Sequence, residues 1–146
     1  MSMKIVVMGA ALLLGSAALA ADPVKLACPA GATQSLALNR EAHFCVDSKG
    51  TRVDGPMAIL WSSGKLQALG QTADGIKRAG KWTIYTEQGV KTAEIEFKNG
   101  DFHGKHVEFH PNGKMKKVET FHAGAKVGAT QEFDLMGKAV TTVVAK

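Results

Sequence analysis

The chain of 146 residues contains only two cysteines, Cys28 and Cys45, and they are not in a C-x-x-C spacing. That argues against a zinc site and against a thioredoxin-like redox centre. No apolar run reaches the roughly 20 residues that a membrane-spanning helix needs. No G-x-S-x-G nucleophile elbow occurs, and Ser62-Ser63-Gly64 reads as a turn. Beyond residue 20 no segment carries sustained helical periodicity free of glycine, so helix is not expected there. Charge is not concentrated either. Eighteen basic and 13 acidic side chains give +5, spread along the chain. No basic stripe alternates with stacking aromatics, so nucleic acid is not an expected partner.

Glycine, by contrast, is plentiful and ordered. Gly55, Gly80, Gly104 and Gly128 are followed nine residues later by Gly64, Gly89, Gly113 and Gly137. Eleven residues on come Gly75, Gly100 and Gly124, which makes 11 of the 16 glycines members of one grid. A period of 24 to 25 residues indicates one small supersecondary unit placed against copies of itself.

The first 20 residues stand apart. Lys4 precedes an apolar stretch from Ile5 to Leu19, and Ala18-Leu19-Ala20 has the small-x-small form of a secretory cleavage site. Residues 1–20 therefore read as a helical signal peptide, and the protein as exported, periplasmic or secreted. Its removal takes away Lys4 and leaves +4. Ala21 after the cut, and Lys25 three positions before Cys28, do not suit a lipoprotein. In an oxidising compartment Cys28 and Cys45 are expected to pair, the alternative being a free catalytic thiol. Residues 21–54 then read as an N-terminal cap segment. Residues 55–146 read as a repeat sheet with units starting near 55, 80, 104 and 128.

Each unit reads as two strands. Lys81 to Thr86 is β-branched and aromatic, and Val90 to Lys98 places Ala93, Ile95 and Phe97 at alternate positions. Asp74-Gly75, Asn99-Gly100 and Asn112-Gly113 suit the positive φ angles of tight hairpin turns. The mature domain should be an all-β antiparallel meander of hairpins. Gly80, Gly104 and Gly128 fall inside strands, and five residues after the unit-starting glycines come Leu60, Tyr85, Phe109 and Phe133. An aromatic lying over a neighbouring glycine is the expected packing, with β-bulges as the alternative.

Segments such as Gly80-Lys-Trp-Thr-Ile-Tyr-Thr-Glu-Gln-Gly89 and Asn99-Gly-Asp-Phe-His-Gly104-Lys-His-Val-Glu-Phe-His-Pro-Asn-Gly113-Lys resemble MORN-type repeats. More narrowly they are similar to a variant in bacterial exported proteins, often labelled a toxin–antitoxin antitoxin component. The resemblance covers Gly50 to about Lys138. It implies an elongated antiparallel sheet of stacked hairpins and a recognition or scaffold role. The first unit departs from the pattern, with Leu60 in the aromatic slot and Thr72 where Phe97 and Phe121 stand. The fourth ends early, with Val140 to Val144 as an edge strand.

Alternation within strands gives the two faces different characters. Val107, Phe109 and Phe133 share one face, whereas His106, Glu108, His110, Thr130, Glu132 and Asp134 share the other. In the first two units that second face carries Met57, Ile59, Trp61, Trp82 and Ile84. Either residues 22–54 cover this apolar area as a cap, or Trp61 and Trp82 belong to a partner surface. His103, His106 and His110 cannot converge on one metal ion from a strand, since residues four apart stand roughly 13 Å from each other. Glu94, Glu96 and Glu108 read as a solvated face in preference to a glycosidase carboxylate pair. Lys114, Lys116 and Lys117 form the densest basic cluster, suited either to anion contact or to protecting a sheet edge. No catalytic, cofactor or metal site is expected. The expected role is an exported, non-enzymatic module binding another protein or an envelope component. Peripheral contact with anionic lipid or polysaccharide, or a periplasmic immunity role, are the alternatives.

Overall fold

The computed structural model describes residues 24–144, so the expected signal peptide lies outside the described residues. Ten strands form one sheet: β1 (Thr33–Leu36), β2 (Ala42–Val46), β3 (Gly55–Leu60), β4 (Leu66–Ala73), β5 (Lys77–Tyr85), β6 (Lys91–Lys98), β7 (Asp101–Phe109), β8 (Met115–His122), β9 (Ala125–Phe133) and β10 (Ala139–Val144). All neighbours are antiparallel and the spatial order equals the chain order. The expected all-β meander is thus an open sheet of a single layer.

Two kinds of turn alternate, and the glycine grid encodes both. In Asp47–Thr51, Trp61–Lys65, Thr86–Val90, His110–Lys114 and Asp134–Lys138 the first N–H donates to the fifth carbonyl. The fourth N–H donates back to the first carbonyl, all at 2.8–3.0 Å. The fourth residue is Gly50, Gly64, Gly89, Gly113 or Gly137, each at φ of 79–85°, a conformation that strains any side chain. On the opposite edge the turns are tighter. Asn99-Gly100 and Ala123-Gly124 have positive φ at both residues, as two-residue hairpin loops require, and Asp74 and Gly75 share that conformation in a longer loop. Asn112, expected to behave like Asn99, does not take positive φ. It lies in a five-residue turn, where its Oδ1 accepts a bond from the Lys114 N–H at 3.0 Å.

The in-strand glycines correct one expectation. No aromatic lies over them: a Cβ at Gly80 or Gly128 would meet nothing within 4 Å, and one at Gly104 would collide with the Glu96 carboxylate. They mark bulges instead. At each, three residues of the odd strand face one of its partner: Gly80–Trp82 opposite Gly70, His103–Lys105 opposite Glu96, and Gly128–Thr130 opposite Glu119. Positive φ (61°, 94° and 72°) is what the bulge demands of these glycines.

The N-terminal segment also departs from expectation. Residues 33–46 extend the sheet as β1 and β2 instead of folding over it. Among the described residues only the stretch from Val24 to Ala32 crosses a face, and that face is the one carrying Ala58 and Leu69. There Leu26 and Cys45 join Ala58 in a buried cluster with Val24, Cys28, Val53 and Leu66. Met57 and Ile59 point the other way. The Gln34 side chain ties the crossing down, accepting from the Leu26 N–H at 2.7 Å and donating to the Val24 carbonyl at 2.8 Å. The expected Cys28–Cys45 disulfide is formed, with Cα atoms 5.6 Å apart.

Candidate interaction surface

The face opposite the crossing segment, here the front face, is apolar through the first half of the sheet. Register places Ile59, Ala68, Ile84 and Ala93 in one row across β3 to β6. Trp82, Ile95 and His106 form a second row, and Phe97, Phe102 and Phe121 a third. The third row is a ladder of rings, with centroids 5.1 Å apart from Phe97 to Phe102 and 5.3 Å from Phe102 to Phe121. The His106 imidazole stacks on Phe102 at 6.2 Å.

Trp82, expected either beneath the cap or on a partner surface, is buried within its own sheet. It is 0 % exposed with no second layer above it among the described residues. Gly70, a glycine outside the grid, explains how: a Cβ there would overlap the indole, so the ring lies directly against the neighbouring backbone. Met57, Ile59, Ile84 and Ile95 pack around it, Phe97 meets it edge-on, and the Arg78 guanidinium lies 4.9 Å from the ring centroid. Its Nε1–H donates to the Gln71 carbonyl at 2.9 Å. Trp82 is the keystone of the face and not its contact surface. Trp61 stands outside this cluster, half-buried at the first position of the β3–β4 turn. Its Nε1 is buried with no hydrogen-bond partner among the described residues. Met57, Ile59, Ile84, Ile95 and Phe121 remain half-buried, and Phe102 is 38 % exposed.

Toward β9 the same face becomes ionic. Glu108, Lys117 and Glu132 continue the row begun by Ile59, and Lys117 Nζ lies 2.6 Å from Glu108 and 3.4 Å from Glu119. Lys126 and the Thr130 hydroxyl also reach Glu119, both at 3.1 Å. Of the expected anion cluster, Lys117 and Lys116 are therefore turned toward Glu108, while Lys114 Nζ donates to the Met136 carbonyl at 2.8 Å. The carboxylates considered for catalysis are held separately. Glu94 pairs with Lys91 and Lys81, and Glu96 accepts from the Lys105 N–H at 2.8 Å. Glu108 lies on the front face, opposite to both. The histidines do not converge: His103 packs edge-on against His122 at 4.9 Å, His106 joins the ring ladder, and His110 Nε2 bonds the Phe133 carbonyl. Among the described residues no three potential ligands cluster.

These ion pairs set an acid sensitivity. The hydrogen bond from Lys91, helped by the Lys91 and Lys81 charges, holds the Glu94 carboxyl below its ordinary value against the opposing effect of burial. For Glu119 burial acts upward and is the largest single effect. Bonds from Lys126 and Thr130, with the charges of Lys117 and Lys126, together bring it below the ordinary value. Both groups hold protons less tightly in the fold than in the unfolded chain. Their stabilisation is complete above the unfolded value of about 4.3 and is lost as pH falls through the lower folded values. The melting temperature should drop between pH 5 and pH 3, and Glu119→Gln should flatten that drop; an identical profile in the variant would refute the assignment.

No protein-family model matches the chain, and comparison with curated proteins finds no significant relative.

Proposed function

We propose that the protein is an exported, non-enzymatic recognition module of the MORN-like repeat class that binds another protein of the cell envelope through the front face of β3 to β8. One observation carries this reading. The crossing segment covers the back of the sheet, so among the described residues the rows around Met57, Ile59, Ile84, Ile95, Phe102 and Phe121 have no second layer over them. Sheets with an apolar face bury it against another element, and an uncovered apolar face is a common mark of an interaction site. The signal-like residues 1–20 support export, and the disulfide suits an oxidising compartment.

Immobilised protein incubated with envelope extract should retain a defined protein. Phe102→Asp should abolish that retention while lowering the melting temperature only slightly, because Phe102 is the most exposed ring of the ladder. Equal retention by wild type and variant would sink the proposal. Loss of retention on reversing Lys114, Lys116 and Lys117, with Phe102→Asp neutral, would move the function to anion contact.

A further inference from the structure

The β1–β2 turn is one residue longer than the five glycine turns, closed by the Ala37 N–H to the Ala42 carbonyl at 2.8 Å, but it shares one of their two hydrogen bonds without the glycine. Its Arg40 N–H donates to the Ala37 carbonyl at 2.8 Å, the same fourth-to-first bond seen in the other five. Arg40 thus occupies the position filled elsewhere by Gly50, Gly64, Gly89, Gly113 and Gly137, and it adopts φ of 61°. A left-handed backbone pushes Cβ toward the following carbonyl, so glycine is the undemanding choice there. Nothing in the packing requires an arginine. The side chain is exposed and forms no ion pair among the described residues. Positive φ is shared by Asp74, Asn99 and Ala123, so what distinguishes Arg40 is the cleft it lines.

Arg40 lines a cleft of about 480 Å³ between its own turn and the β3–β4 turn, together with Asn39, Glu41, His43, Ser62 and Ser63. The His43 Nδ1 accepts from Gln34 Nε2 at 2.9 Å, which places the ring proton on Nε2 and makes that atom a donor. Ser62 and Ser63 add two hydroxyls. The only carboxylate, Glu41, is engaged by Asn39 Nδ2 at 2.7 Å and keeps acceptor capacity for a hydroxyl. A permanent guanidinium charge, an imidazole N–H and two hydroxyls around one cleft complement an oxyanion.

We infer that this cleft binds a small oxyanion-bearing molecule, with Arg40 as its anchor and with Ser62, Ser63 and Glu41 reading neighbouring hydroxyls. The site is separate from the front-face surface, and neither depends on the other. Amide chemical shifts followed by NMR during titration with inorganic phosphate, and separately with glucuronate, test it on the intact protein. Saturable shifts confined to residues 36–43 and 60–64 are expected with at least one probe. Stronger response to phosphate would identify a phosphorylated ligand, and stronger response to glucuronate an acidic sugar. Arg40→Gly should weaken binding at least tenfold and at the same time raise the melting temperature, since it relieves the left-handed strain. Absence of saturable shifts with both probes would overturn the inference. So would unchanged binding in Arg40→Gly, or a fall in its melting temperature, which would make Arg40 a structural residue of the turn.

Discussion

Trp82→Ala should remove about 3–5 kcal/mol of unfolding free energy, the range for deleting a large buried aromatic. The loss should be read from chemical denaturation. An open sheet of one layer has few sites where a side chain is wholly removed from water, and Trp82 is the largest of them. Its truncation would uncover Gly70, free Arg78 from the ring and leave the Gln71 carbonyl without its indole donor. The reciprocal change tests the same contact from the other strand. Gly70→Ala drives a methyl into the indole and should cost at least the 1–3 kcal/mol typical of overpacking, although alanine is normally an easy substitute for glycine. A Trp82→Ala loss below about 1 kcal/mol, smaller than a single well-packed methyl pair, would show that the face is not organised around this ring.

Breaking the Cys28–Cys45 bond should have the second largest effect. The crosslink joins residues 17 apart and holds the crossing segment against Cys45 and Ala58. Constraining a loop of that size contributes about 3 kcal/mol in the chain-entropy account. Replacing both cysteines with alanine should lower stability by that order. Hydrogen exchange should rise from Val24 through Leu36 while protection in β6 to β8 persists, because each strand contacts mainly its chain neighbours. Uniform loss of protection across all ten strands would show that the crossing segment is coupled to the far end of the sheet. An unchanged denaturation midpoint would mean that Gln34 and Leu26 hold the segment without the covalent link.

The parts of the fold legible in the sequence are those set by a few adjacent residues. Glycine spacing marked the turns because left-handed φ is a local demand, and the residues that meet it cheaply are few. Alternation of Ala93, Ile95 and Phe97 marked a strand, and short turns then leave little choice but pairing in chain order. The strand faces of His106, Glu108 and Glu132 were readable for the same reason. Asn112 escaped this reading because an Asn-Gly pair serves either turn, and only loop length separates them.

Other features depended on which residues stand opposite one another. Gly70 looks like a stray glycine until the bulged register places Trp82 upon it. Lys117 looks like one of a basic trio until register sets Glu108 and Glu132 beside it. Arg40 draws no notice in the sequence, since nothing local reveals that the fourth residue of its longer turn takes the left-handed conformation that glycine takes in the others.

Sequence alone therefore determined the repeat, the turn positions and the strand order, all consequences of short-range backbone preference, while the cysteine pairing followed from two cysteines in a chain read as exported. Tertiary structure alone decided which face the segment before β1 would cover, because both faces near β3 are apolar and periodicity cannot rank them. The disulfide to Cys45, which shares its face with Ala58, committed that segment to the back, and among the described residues nothing covers the front.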